Sequence, residues 1–341
     1  IDTELVIGDE MLREALARHS DAHMHAIVST IKQHQNQVIR QPLEKRIVVQ
    51  GVAGSGKTAV ALHRVAWLLY RYRKQDLTSR QILLFTPNRP FVEYIRDVLP
   101  ELGEQNIPTT TLHTQVRGLI PGRYRVETPW AAMEYLLRFA RRKAVAAQRE
   151  IRAALAGKDM AALLEQYVAE LSAAPVFEDV IHDGRVLVSG KELADLYAHR
   201  PQMPMAKRLL RVIRRVLEAL APLYRQQFEQ LVRQYRYNGE LPSDARRMAG
   251  RRCQLIFAPA VRTLQRMTRL RTREVFAGFW PWLAARHPLG ERWLEHFETV
   301  QEQMFLPVET ACLYAMLRVL LYGAPAHGYR HVVIDEAQDY T

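Results

Sequence analysis

The sequence predicts an α/β fold in which a parallel sheet is interrupted by a large, mainly helical insertion. Three observations predict it. Short apolar runs alternate with helical stretches between residues 43 and 122. From about residue 123 to 306 that alternation stops and helical periodicity takes over. One apolar run, His331-Val332-Val333-Ile334, then restores strand character. Strands alternating with helices imply parallel pairing with both sheet faces covered. The domain reading is lead-in helices over 1–42, the first part of an α/β domain over 43–122, the insertion over 123–306, and a return to the α/β domain over 307–341.

Residues 4–16 are amphipathic, and Ala26, Ile27, Ile31, Val38 and Ile39 continue an apolar helical face toward Pro42. Arg46-Ile47-Val48-Val49-Gln50 is β-branched and reads as the first strand, followed by a glycine-rich turn and a helix over 57–72. Gln81-Ile82-Leu83-Leu84-Phe85 reads as a buried strand closed by Thr86-Pro87-Asn88. A helix through Phe91, Tyr94, Ile95 and Val98 ends at Pro100. Thr109-Thr110-Thr111-Leu112-His113 is a third short strand or strand end. Inside the insertion, helical patterns cover 130–156, 161–173, 191–198, 206–234 and 261–285, with a small hairpin over 176–188 turning at Asp183-Gly184. Within 206–234, Leu209, Ile213, Val216 and Leu220 share one face, opposite Lys207, Arg208, Arg211, Arg214 and Arg215. A helix over 309–322 leads to the last strand.

The length of 341 residues suits two domains better than one, and 48% hydrophobic with 25% charged residues excludes disordered and fibrous classes. No run of 18 apolar residues appears, so no membrane partner is expected. Two cysteines, Cys253 and Cys312, cannot form a disulfide framework and read as small buried residues, which fits a cytoplasmic protein. Ile1 opens without a leader, as a trimmed segment would. The net charge of +12 favours a polyanionic partner. Between Asp244 and Glu274 there is no acid, while Arg246, Arg247, Arg251, Arg252, Arg262, Arg266, Arg269, Arg271 and Arg273 crowd together. That block is either a binding surface or a solvated helix face.

Gly51-Val52-Ala53-Gly54-Ser55-Gly56-Lys57-Thr58 matches the phosphate-binding pattern G-x-x-x-x-G-K-[ST] at every fixed position. Glycines let the backbone wrap so that N–H groups converge on phosphate oxygens, and the following helix adds its positive end. Lys57 is expected to reach the β- and γ-phosphates of ATP, and the Thr58 hydroxyl to ligate Mg²⁺. Asp335-Glu336, directly after the last strand, supplies two carboxylates at the carboxyl edge of a sheet. Asp335 is expected to hold Mg²⁺ and Glu336 to deprotonate the attacking water.

In order, the Gly51 to Thr58 loop, Thr86-Pro87-Asn88, Thr111-Leu112-His113 and Asp335-Glu336-Ala337-Gln338-Asp339 resemble the early motifs of superfamily-one helicases of the UvrD/Rep type. The loop extended through Ala59-Val60-Ala61-Leu62-His63-Arg64, with Thr86-Pro87-Asn88-Arg89 and Asp335 to Thr341, looks closer still to the HelD group of RNA polymerase recycling ATPases. The resemblance covers about residues 30–120 and 307–341 and is only architectural between them. It implies a P-loop NTPase (RecA-like) fold for the α/β part, with ATP hydrolase activity. The implied partner is core RNA polymerase, with a 3′-to-5′ helicase acting on single-stranded or duplex DNA as the alternative. Gln35 takes the place of an adenine-reading glutamine, with Gln37 as the other register. Thr86, Asn88 and His113 match motifs that contact single-stranded DNA, although Thr86 and His113 read equally well as strand-end caps. Gln338 is implied to couple nucleotide to the strand-binding surface, and the arginine block, including Arg251, Arg252 and Arg269, to meet the polymerase. The family's later motifs and second RecA-like domain are not found before Thr341, so weak nucleotide binding and negligible turnover are expected of these residues by themselves.

His19, His23 and His25 could bind a metal, but no Cys or Asp cluster accompanies them. Trp280, Trp282 and Trp293 with Phe276, Phe279 and Phe297 read as insertion core rather than a base-stacking platform.

Overall fold

The computed structural model describes residues 33–88, 92, 107–122, 124–128, 130–132, 134, 143–173, 175–324 and 328–340. The expected helix over 4–16, the His19, His23 and His25 group, and the helix expected through Phe91, Tyr94, Ile95 and Val98 lie outside those residues. The described elements run α1 (Gln33–Ile39), α2 (Lys57–Arg71), β1 (Ile82–Phe85), β2 (Thr109–Thr110), α3 (Leu112–Leu119), β3 (Arg125–Val126), α4 (Lys143–Ala156), α5 (Lys158–Ala173), β4 (Val180–His182) and β5 (Arg185–Val188). They continue with α6 (Gly190–Ala198), α7 (Met205–Tyr237), α8 (Pro242–Thr268), α9 (Thr272–Ala284), α10 (Gly290–Gln303), β6 (Phe305–Leu306), α11 (Val308–Tyr322) and β7 (His331–Ile334). The fold is mixed α/β, mostly helical, with a small parallel sheet. It divides into two compact units, one from the described parts of Ile1–Leu119 and Pro325–Thr341, the other from those of Ile120–Ala324.

The first unit holds a three-stranded sheet in the order β2-β1-β7, parallel throughout. β1 is central, and Ile82, Leu83 and Leu84 are all buried, as a strand covered on both faces demands. β7 pairs with it from Ile82 opposite His331 to Phe85 opposite Ile334. α2 packs Leu62, Val65, Leu68 and Leu69 into the same core as Ile82, Leu84 and Ile107.

Two expectations for this unit fail. Residues 46–50 form no strand, and Val48 is 96% exposed. Strand propensity is realised only when a partner edge supplies the ladder, and no described strand pairs with these residues. The third strand is only Thr109–Thr110, because Leu112 and His113 already belong to α3. Thr111 starts that helix, its hydroxyl accepting from the Thr114 N–H at 3.2 Å.

The second unit is built on the α7–α8 pair. Leu209, Val212, Val216, Leu220 and Leu231 of α7 share one apolar cluster with Ala249, Cys253, Phe257, Ala260 and Leu264 of α8. The β4–β5 hairpin turns at Asp183 and Gly184, both at positive φ (49° and 71°), the geometry favoured where the turn must follow the twist of its strands. The pattern over 261–285 is two helices rather than one, broken at 269–271 where Arg269 and Arg271 take extended backbone. α8 begins much earlier, at Pro242, so much of the arginine block lies on one helix. Phe276, Phe279, Trp280, Trp293 and Phe297 are buried, while Trp282 is half-buried and donates to Glu170 at 2.8 Å. Cys253 is buried and Cys312 half-buried, neither in a disulfide.

α11 belongs to the second unit, although its place after residue 307 assigned it to the first. Leu313, Tyr314, Leu317 and Leu321 are buried, and the helix packs on α4, α5, α7 and α9. A helix apolar on several faces needs neighbours on several faces, and those helices provide them. Its first turn is tied down by Arg152, which donates to Glu309 at 3.0 Å and to both Glu127 oxygens at 2.5 and 3.2 Å. Among the described residues no helix is long and apolar enough to cross a membrane.

Candidate functional site

The glycine loop comes first. Gly54 and Gly56 stand at φ 75° and 84°, a region that side-chain-bearing residues rarely enter. Gly51 differs: a Cβ there would sit 2.7 Å from the Ser55 hydroxyl, which could rotate away. The Ser55 N–H closes a turn onto the Val52 carbonyl at 3.2 Å, and α2 starts at Lys57 with Gly56 as its left-handed cap. The first N–H groups of any helix lack intrahelical acceptors, so this end presents donors. Residues 51–55 are exposed. The Lys57 ammonium folds over the loop and donates to the Gly51 and Val52 carbonyls at 3.0 and 3.1 Å.

The acidic pair arrives on β7. The Asp335 N–H donates to the Phe85 carbonyl at 3.0 Å, which extends the β1–β7 ladder by one step and sets Asp335 at the sheet's carboxyl edge. Its carboxylate is buried and accepts from the Thr58 hydroxyl at 2.9 Å, across 277 residues of sequence. The other Asp335 oxygen accepts from the Glu336 N–H at 3.0 Å. Glu336 has φ 49°, an uncommon conformation for a non-glycine residue, which turns the chain sharply at the strand end. Its carboxylate accepts from the Gln338 amide in the short 3₁₀ turn Ala337–Tyr340.

Gln35, not Gln37, meets the loop: its amide donates to the Ser55 carbonyl at 3.2 Å and lies beside Gly56. Gln37 instead offers its backbone carbonyl to the Gln41 side chain. What seats α1 beside the loop was not foreseen. Arg64, buried on α2, donates to the Ile39, Gln41 and Pro42 carbonyls at 3.1, 2.6 and 2.9 Å. The Ile39 carbonyl ends α1 and those of Gln41 and Pro42 follow it, a cluster of backbone oxygens that favours a cation. The signal was present in the sequence: a guanidinium in the apolar stripe of Val60, Val65 and Leu68 must find oxygens. Burial lowers the pKa of Arg64 and of the adjacent His63. Burial also lowers that of His331 at the start of β7, with the Arg64 charge adding to it.

The other sequence-predicted positions separate. Thr86 is fully buried, with its N–H on the Thr110 carbonyl at 3.0 Å, so it closes the β1–β2 edge and is not available to a nucleic acid. Asn88 is exposed. His113 is half-buried in the first turn of α3, and its Nε2 is buried without a hydrogen-bond partner among the described residues. Arg251 and Arg252 lie on α8 and Arg269 just after it, in the second unit, and Arg269 pairs with Glu274.

Among the described residues no group of three or more His, Cys, Asp or Glu side chains is placed to hold a metal ion. A magnesium held through one carboxylate, one hydroxyl and substrate phosphates does not require such a group, and Asp335 with Thr58 supplies that donor pair. No protein-family model matches the sequence, and no curated protein is significantly similar to it.

Proposed function

We propose that the first unit is a P-loop, RecA-like ATP-binding domain. We assign it to a HelD-like ATPase that binds core RNA polymerase and uses ATP to release it from nucleic acid, with the helices over 123–306 as the insertion. One observation carries the nucleotide reading: the Thr58 hydroxyl and the Asp335 carboxylate meet at 2.9 Å although 277 residues separate them. A hydroxyl after a glycine-lysine loop and a carboxylate ending a parallel strand are the two protein groups that Mg²⁺ uses in P-loop sites.

Bound Mg²⁺ would draw charge from the β- and γ-phosphate oxygens. Lys57 exchanges its two carbonyl acceptors for phosphate oxygens, a stronger charge-assisted contact. Thr58 and Asp335 would hold the metal. Glu336 accepts a proton from water, and Gln338 holds its carboxylate in place. Gln35 stands beside the loop where a base edge can be read. The helicase alternative loses one support, because Thr86 is buried.

Binding of a fluorescent ATP analogue tests the site. Mg²⁺-dependent binding that is lost in Lys57→Ala and weakened in Asp335→Asn is expected. Equal binding by wild type and both variants overturns the nucleotide reading. Capture of purified core RNA polymerase that survives nuclease tests the partner, and capture abolished by nuclease overturns it.

A further inference from the structure

The arginine block has a shape that only the structure shows. α8 buries Ala249, Cys253, Ala260 and Leu264, and on the opposite side Arg247, Arg251, Leu255, Arg262 and Arg266 recur at three- and four-residue steps or their sum. All five are exposed. The stripe runs roughly 28 Å at a rise of ~1.5 Å per residue.

Two of its arginines are neutralised from within the protein, Arg247 by Asp244 at 2.6 Å and Arg266 by Glu178. Arg251 and Arg262 have no ion-pair partner among the described residues, nor do Arg246 and Arg252 on the flanks. Arg262 makes only a 3.3 Å contact to the Ala258 carbonyl of its own helix. A solvated helix face ordinarily intersperses acids at i±4 to relieve such repulsion. Here the repulsion between arginines is left standing, which favours an external anion.

The kind of anion is indicated by how the charge is arranged. Leu255 interrupts the stripe 68% exposed, and at the end of the α7–α8 hairpin Tyr237 is 93% exposed beside Arg236. Guanidinium groups recurring along one helix face suit the regularly repeated phosphates of a nucleic-acid strand, and the exposed Tyr237 lies at the hairpin end rather than within the stripe.

We infer that the outward face of α8, centred on Arg251 and Arg262, binds the phosphate backbone of nucleic acid. The inference does not rest on the nucleotide site. The test is fluorescence anisotropy of a labelled twenty-nucleotide thymidine strand with the full chain across a salt series, and poly-L-glutamate as competitor. Wild type is expected to bind with a steep salt dependence. Arg251→Glu with Arg262→Glu weakens it about ten-fold or more at low salt and flattens the slope, since each lost phosphate contact removes ~0.7 from it. Arg251→Gln with Arg262→Gln shows the same direction more mildly and decides the matter should the charge reversal disturb folding. Lys57→Ala leaves the strand affinity unchanged, which separates this surface from the ATP site. Unchanged binding in both double variants, or poly-L-glutamate held more tightly than the strand, overturns the inference, the latter in favour of an acidic protein partner.

Discussion

Arg64 and Arg152, one in each unit, are satisfied in opposite ways, while Arg208 of the second unit, expected on the polar face of α7, is buried and donates to the Ser172 carbonyl and the Tyr197 hydroxyl. Arg64 in the first unit donates to backbone carbonyls at the end of α1. Arg152 in the second is held by two carboxylates, Glu127 and Glu309. The first arrangement uses a charge to place an element, α1 with Gln35, while leaving the unit's carboxylates at the sheet edge for another purpose. The second consumes its carboxylates in a clamp that joins the segment after β3, α4 and α11. A clamp whose charges neutralise one another holds shape. In the first unit Lys57 lies over an exposed loop and Asp335 accepts from a hydroxyl and an N–H, the groups that the proposed nucleotide site would use.

That contrast can be broken by mutation. The largest effect on stability is expected from Arg152→Ala, about 3–5 kcal/mol in urea unfolding, because two carboxylates lose their shared cation in a half-buried setting. Nucleotide binding should be unchanged. Arg64→Ala is expected to cost about 2–3 kcal/mol, the scale of lost hydrogen bonds to a charged group, and also to weaken nucleotide binding through Gln35. If Arg64→Ala lowered stability and left nucleotide affinity untouched, the positioning role would be wrong.

Acid should weaken both units. His63 and His331 in the first and His296 in the second all have pKa values lowered by burial, His331 further by the Arg64 charge and His296 further by the Arg152 charge. The unfolded chain therefore binds more protons, so the stability these groups contribute is present above about pH 6.5 and is lost as pH falls below it. Thermal unfolding between pH 8 and 5 reads this directly, and a flat profile across that range contradicts it. Lys57→Ala has the smallest expected effect on stability, within about 0.5 kcal/mol as for surface positions, together with loss of nucleotide binding measured by the fluorescent analogue. A large loss of stability would mean that the lysine serves the fold.

The site was more legible in the sequence than the fold around it. Gly51, Gly54, Gly56, Lys57, Thr58, Asp335 and Glu336 could be read because loop chemistry needs particular residue types at fixed spacing. The buried reading of Thr86 was already open as a strand-end cap, and depth decided between cap and contact. Periodicity reports faces, not which backbone carbonyls lie opposite a buried guanidinium, so the part played by Arg64 needs the structure. The strand expected over 46–50 failed because β-branched residues state a preference while pairing requires an available edge.

By itself, the sequence determined what depends on near neighbours: the positive φ angles at Gly54 and Gly56, the Asp183-Gly184 turn, the phase of each amphipathic helix, and the strand that ends in Asp335-Glu336. These follow from sterics and periodicity within a few residues. Only the tertiary structure decided that β7 lies against β1, that α11 joins the second unit, which carbonyls Arg64 holds, and which arginines of α8 have an ion-pair partner among the described residues. Those outcomes depend on burial and pairing between segments far apart in the chain, where the same local pattern is compatible with several neighbours and only packing selects one.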